Sequence, residues 1–252
     1  MGVRAAGRKT LQAARAAGLG LKAFARFARA TARLFVYYSR MMFTRQTAAL
    51  SVLLGAAFAL MMIRGEIDSP ARCLMALYAF FAAIFIAFFM GLVTRERDQG
   101  TLELSLMSAR GFHQWIGVKA LAAAFWAGTL GVGAAAALHW RIGGFPLGPV
   151  LFFAGTTGLL FGVATLYLSV MLRNAYAAAT GAALLGFGLY LFFGQTGHRG
   201  LLDPFFQLFT EGRPPANAAA LMRWNRFYAL AATVVLYDQT IRRMRRVELW
   251  VK

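Results

Sequence analysis

Residues 73–93 read CLMALYAFFAAIFIAFFMGLV, 21 consecutive positions without a charge. A helix needs about 20 apolar residues to cross the ~30 Å hydrocarbon core of a bilayer. Lipid offers no water to backbone amides, so such a block must close its hydrogen bonds within itself, as a helix does. Working outward, five further blocks predict spans at Thr47–Ile63, Lys119–Leu138, Val150–Leu172, Ala175–Phe193 and Phe227–Ile241. Only Arg173 and Asn174 separate the fourth span from the fifth, which makes those two an antiparallel pair. The whole chain is 60% hydrophobic and 14% charged, whereas soluble domains carry about 25% charged residues. The sequence thus predicts an all-α polytopic membrane protein: six transmembrane helices preceded by an amphipathic interfacial helix. Its parts are a basic arm (1–46), a membrane domain (47–241) with a loop at 94–118, and a basic tail (242–252).

The net charge is +18, but its placement speaks for a membrane surface and not for nucleic acid. In a six-span topology 20 of the 27 Lys and Arg residues fall on the side of both termini, which the positive-inside rule assigns to the cytoplasm. No stacking platform or recognition motif accompanies the charge. Arg15, Lys22, Arg26, Arg29, Arg33 and Arg40 share an arc of about 60° on a helix. Phe24, Phe27, Leu34, Phe35 and Tyr38 lie roughly opposite. This pattern predicts a helix in the membrane plane, its apolar face in the acyl boundary and its guanidinium groups among anionic lipid headgroups.

Chemistry-bearing clusters are sparse. The single cysteine, Cys73, rules out an intrachain disulfide, and no pair among His113, His139 and His198 has metal-ligand spacing. We expect no catalytic residue, bound cofactor or metal in this chain, and therefore no enzyme activity of its own. Asp238 is the only acid within an expected span. Intramembrane acids are functional candidates by default, although Arg242 four positions on offers a local ion pair. Trp115, Trp140, Trp224 and Trp250 fall near expected membrane boundaries, where indole rings are favoured.

The most distinctive segment follows the second span: Thr94-Arg95-Glu96-Arg97-Asp98-Gln99-Gly100-Thr101-Leu102-Glu103-Leu104-Ser105-Leu106. From the residues alone it reads as a solvated loop helix, broken at Gly100, capped by Thr101, with Glu103 in its first turn. The segment also resembles a hallmark of the permease subunits of type-2 ABC transporters, an acidic-basic "E-x-E-x-G-T-L-E-L-L" stretch followed by a Gly-Lys at the third span. Asp98 stands for the second Glu, Ala109 for the usual Pro, Gly117 is displaced, and Lys119 keeps its distance. Leu168 to Ala175 and Leu202-Asp203-Pro204-Phe205 are similar to later elements of the same family, in the same order.

The resemblance implies a substrate path built by this subunit and a second permease, homo- or heterodimeric, in a bacterial inner membrane. It also implies a separate ATPase subunit that carries ATP and Mg. This chain has no G-x-x-x-x-G-K-[ST] to cradle them. Arg95, Glu96, Arg97, Asp98, Gly100, Thr101, Leu102 and Glu103 would form the coupling element that meets the ATPase. The competing readings are a non-transporting membrane anchor and, from another class, an intramembrane enzyme.

Overall fold

The computed structural model describes residues 28–65, 67, 69–98, 112–142, 146–196, 203, 205 and 218–245. Every regular element among them is a helix. Helix α1 covers described residues 28–42. It is followed by α2 (Arg45–Ile63), α3 (Pro70–Phe89), α4 (Thr94–Asp98), α5 (Phe112–Ile142), α6 (Leu147–Leu172), α7 (Ala175–Thr196) and α8 (Ala218–Met244). The protein is an all-α, multi-pass membrane protein. Among the described residues five helices, α2, α3, α5, α6 and α7, are long and apolar enough to cross a membrane.

The sixth expected span is corrected in kind. Phe227–Ile241 does lie within one helix, but α8 starts nine residues earlier, at Ala218. It carries Arg223, Arg226, Asp238, Arg242 and Arg243, and so is not among the five apolar helices. Residues 218–226, left outside the expected span, are the first turns of α8. Helix α5 likewise starts at Phe112, so only 99–111 separate it from α4.

Local chemistry sets the ends. Thr44 caps α2 by accepting the Thr47 N–H, and Ser69 caps α3 from just before Pro70, which occupies the first helical turn. Between α6 and α7, Arg173 takes the left-handed conformation (φ 53°) that stops a helix. Asn174 Oδ1 then accepts the Tyr176 and Ala177 N–H groups at 2.9 and 3.0 Å and starts α7.

Helices α3 and α6 form the inner pair, while α2 and α7 stand at the periphery with most side chains outward. Phe81, Phe85 and Phe89 stack along α3 with centroids 6.3 and 6.0 Å apart. They lie on α6 where Gly158 and Gly162 remove the side chains. A Cβ at Gly158 would sit 2.9 Å from the Phe85 ring and 3.1 Å from the Phe81 carbonyl oxygen. With no hydrophobic drive between helices in lipid, close approach over small residues is what binds them.

Helix α1 makes a protein contact beyond the one the sequence reading expected. Arg29, Arg33 and Arg40 are exposed as expected, yet the opposite face turns into the bundle. Tyr38 and Met42 are buried, and Leu34 and Phe35 pack on the core. Phe35 meets Phe125 of α5 edge-on at 5.7 Å, and Phe43, just past α1, meets Trp126 at 4.8 Å. This part of the apolar stripe therefore packs on protein, while Val36, Tyr37 and Met41 beside it stay exposed. Phe24, Arg26 and Phe27 lie outside the described residues.

Candidate functional site

Helix α3 ends at Phe89, and a three-residue turn separates its cap, Met90, from α4. That break leaves the Leu92 carbonyl without a helical donor, and Lys119 Nζ of α5 donates to it at 3.1 Å. The same ammonium lies 2.5 Å from Glu96 Oε1 of α4. It also sits 4.0 Å from the centroid of the Trp115 ring, one turn back on α5, and 5.1 Å from that of Tyr38 of α1. Lys119 is 4% exposed and Glu96 6%. Two charges so buried are tolerable only as a pair with further hydrogen bonds and cation–π contacts. Burial, reinforced by the nearby Glu96 charge, pushes the Tyr38 phenol up to about 12.

Beside this lock, Arg97 donates from its guanidinium to the Arg173 carbonyl at 3.2 Å. That oxygen belongs to the left-handed residue closing α6. Arg95 folds back over Gly91, where a Cβ would stand 2.5 Å from its Nε. Helix α4 is thus tied to α5, to the α6–α7 turn and, through Lys119 and Tyr38, to α1.

Of the residues expected to form the coupling element, Arg95, Glu96 and Arg97 are brought together on α4. Asp98 ends that helix, and nothing of its side chain is described. Gly100, Thr101, Leu102 and Glu103 lie outside the described residues. Glu96 corrects the reading of a solvated loop: it faces inward to Lys119. Tyr38 and Trp115 were missed as members of this cluster. The i, i+4 spacing of Trp115 and Lys119 is the signal that could have found one of them. Trp115, near the start of α5, is buried within the protein, whereas Trp140 and Trp224 are exposed. Asp238 pairs with Arg242 at 2.6 Å on the surface of α8, the local ion pair its spacing suggested.

A second polar cluster escaped the sequence reading, which left Arg226 just outside the sixth expected span. Arg226 is 2% exposed. Its Nη1 donates to the Phe153 carbonyl (2.9 Å), Thr156 Oγ1 (3.0 Å) and Thr157 Oγ1 (2.9 Å) of α6. The guanidinium lies 4.6 Å from the Phe153 ring centroid and 5.9 Å from that of Tyr78 of α3. Next to it on α8, Asn225 Nδ2 donates to the Asp203 carbonyl at 2.8 Å. Phe205, whose N–H donates to Asp203 Oδ1 at 2.9 Å, stacks on Phe161 at 5.6 Å.

Among the described residues no group of three His, Cys, Asp or Glu side chains is placed to hold a metal ion. No protein-family profile, curated protein or solved structure matches this chain, so what it does must be argued from its own residues.

Proposed function

We propose that this chain is the permease subunit of an ATP-driven exporter, forming the substrate path with a second permease and driven by a separate ATPase. In this reading the chain lies in a bacterial inner membrane with both termini in the cytoplasm, where the basic arm and tail meet anionic lipid. The reading rests on the sequence resemblance around Glu96 to Leu104. The single observation that supports it is the double tie of α4, to α5 through Glu96–Lys119 and to the α6–α7 turn through Arg97. A partner pressing on the residues after α4 would move α3, α5 and α6 as one body, which is what a rigid-body switch requires. A loop hanging free of the bundle would dissipate the same push.

The inward face of Glu96 refines which residues meet the partner. Arg97 and the segment from Gly100 to Glu103 are the candidates for contact, and Glu96 holds the lever in place. The test is purification of the chain with its ATPase from native membranes, wild type beside Gly100→Val and Glu103→Ala. We expect normal membrane levels and lost co-purification or lost coupling of ATP hydrolysis to transport. Variants that keep both the partner and coupled transport would leave the membrane-anchor reading standing instead.

A further inference from the structure

Helix α8 is 27 residues long, about 40 Å at ~1.5 Å per residue and more than the ~30 Å of hydrocarbon in a bilayer. It is nevertheless not among the five apolar helices. Its polarity has a side. Arg226, Thr233 and Thr240, at sevenfold spacing, are buried, whereas Phe227, Val234 and Val235 are exposed. Seven residues are close to two helical turns, so the polar groups form one stripe turned into the bundle and the apolar ones face out. Near the start of α8, Arg226 meets Phe153, Thr156 and Thr157 of α6. Near its end, Arg243 lies 5.5 Å from the ring centroid of Tyr167, further along α6. The two helices therefore run parallel, and α8 ends on the side where Arg173 closes α6.

Thr233 and Thr240 donate to carbonyls of their own helix, at 2.8 and 2.7 Å, so α8 can carry them into lipid unaided. Arg226 differs, because its Nη1 donates three times to α6. Tyr78 of α3 and the Asp203 carboxylate also act on its charge, and Asp203 is on the segment that leads to α8. An arginine turned to hydrocarbon opposes the insertion of the helix that carries it. Acceptors held on α6, a helix apolar enough to cross by itself, remove that opposition. We propose that α8 is a conditional span. It enters the bilayer against α6, and Thr156 and Thr157 decide whether it does and on which side the basic tail comes to lie. This rests on the six-crossing arrangement of the proposed function and on nothing about transport.

The test expresses the full chain in a bacterial inner membrane with a fluorescent protein or alkaline phosphatase fused after Lys252. The first reports a cytoplasmic tail and the second an external one. Thr156→Val and Thr157→Val together remove both hydroxyls at nearly constant volume. We expect fluorescence without phosphatase activity from the wild type. The double variant should raise the ratio of phosphatase to fluorescence at least about tenfold. Adding Arg226→Leu to it should restore the wild-type reading, because no charge is then left to satisfy, whereas a misfolded chain would not recover. Thr165→Val, which removes a buried hydroxyl bonded within α6 to the Phe161 carbonyl, should read as wild type. An unchanged ratio in the double variant would overturn the proposal and show that the basic tail alone draws α8 across. Failure of Arg226→Leu to restore the reading would overturn it as well. Phosphatase activity in the wild type would overturn the six crossings and the proposal with them.

Discussion

Lys119 Nζ stands 2.5 Å from Glu96 Oε1, a buried ion pair that joins the short helix after α3 to the start of α5. Both side chains are almost entirely buried. Removing one partner strands the other, at a cost of roughly 3–5 kcal/mol. Glu96→Gln and Lys119→Met should each lower stability by about that amount in denaturant titration of the detergent-solubilised protein. The double variant should lose clearly less than the sum, because it strands no charge. Additive losses would mean that the two side chains act separately.

Tyr38 reports on the same lock through pH. Its phenol is held up at about 12, above its ordinary 10.0, by burial and by Glu96. The folded state therefore favours the neutral phenol. The stability this contributes is fully present below pH 10 and is lost as pH rises through about 12. Tyr38→Phe, which cannot ionise, should lose less stability than wild type between pH 10 and 12. The difference between the two melting-temperature profiles over that window isolates this one group. Parallel profiles would place the phenolate in water.

Arg226 should resist conservative replacement. A single guanidinium nitrogen, Nη1, reaches a carbonyl and two hydroxyls of α6 while the guanidinium lies near the Phe153 ring. A lysine offers a point charge but no planar cation to lie near the Phe153 ring while its nitrogen meets α6. Hydrogen bonds to a charged group are worth roughly 1.5–3 kcal/mol each. Arg226→Lys and Arg226→Leu should both destabilise by about 3 kcal/mol or more, and Thr157→Val by about 1.5–3 kcal/mol. Wild-type stability in Arg226→Lys would show that the charge alone matters.

Two glycines should respond with opposite signs. At Gly158 a methyl group meets the Phe85 ring and the Phe81 carbonyl, and overpacking of this kind costs about 1–3 kcal/mol. At Gly188 nothing lies within 4 Å of the added carbon, so alanine gains helix propensity of about 0.5–1 kcal/mol. Gly158→Ala should lower the melting temperature and Gly188→Ala should raise it. The same sign for both would put the α3–α6 crossing elsewhere.

The sequence by itself determined the membrane helices, because uncharged runs such as 73–93 have only one low-energy form in lipid. It also placed the tight turn at Arg173-Asn174 and the Asp238–Arg242 pair, since both depend on residues within one turn of each other. Only the tertiary structure decided which way side chains face. Glu96 and Lys119 each read as an ordinary helix-end charge until α4 folds back beneath α5. Arg226 reads as the edge of a loop until α8 extends past it and α6 supplies three oxygens. The apolar stripe of α1 suits lipid and protein equally, and only the fold brings the Phe125 ring of α5 against its Phe35. Periodicity measures only how apolar a face is. What covers that face depends on contacts between segments far apart in the chain, which no local pattern encodes.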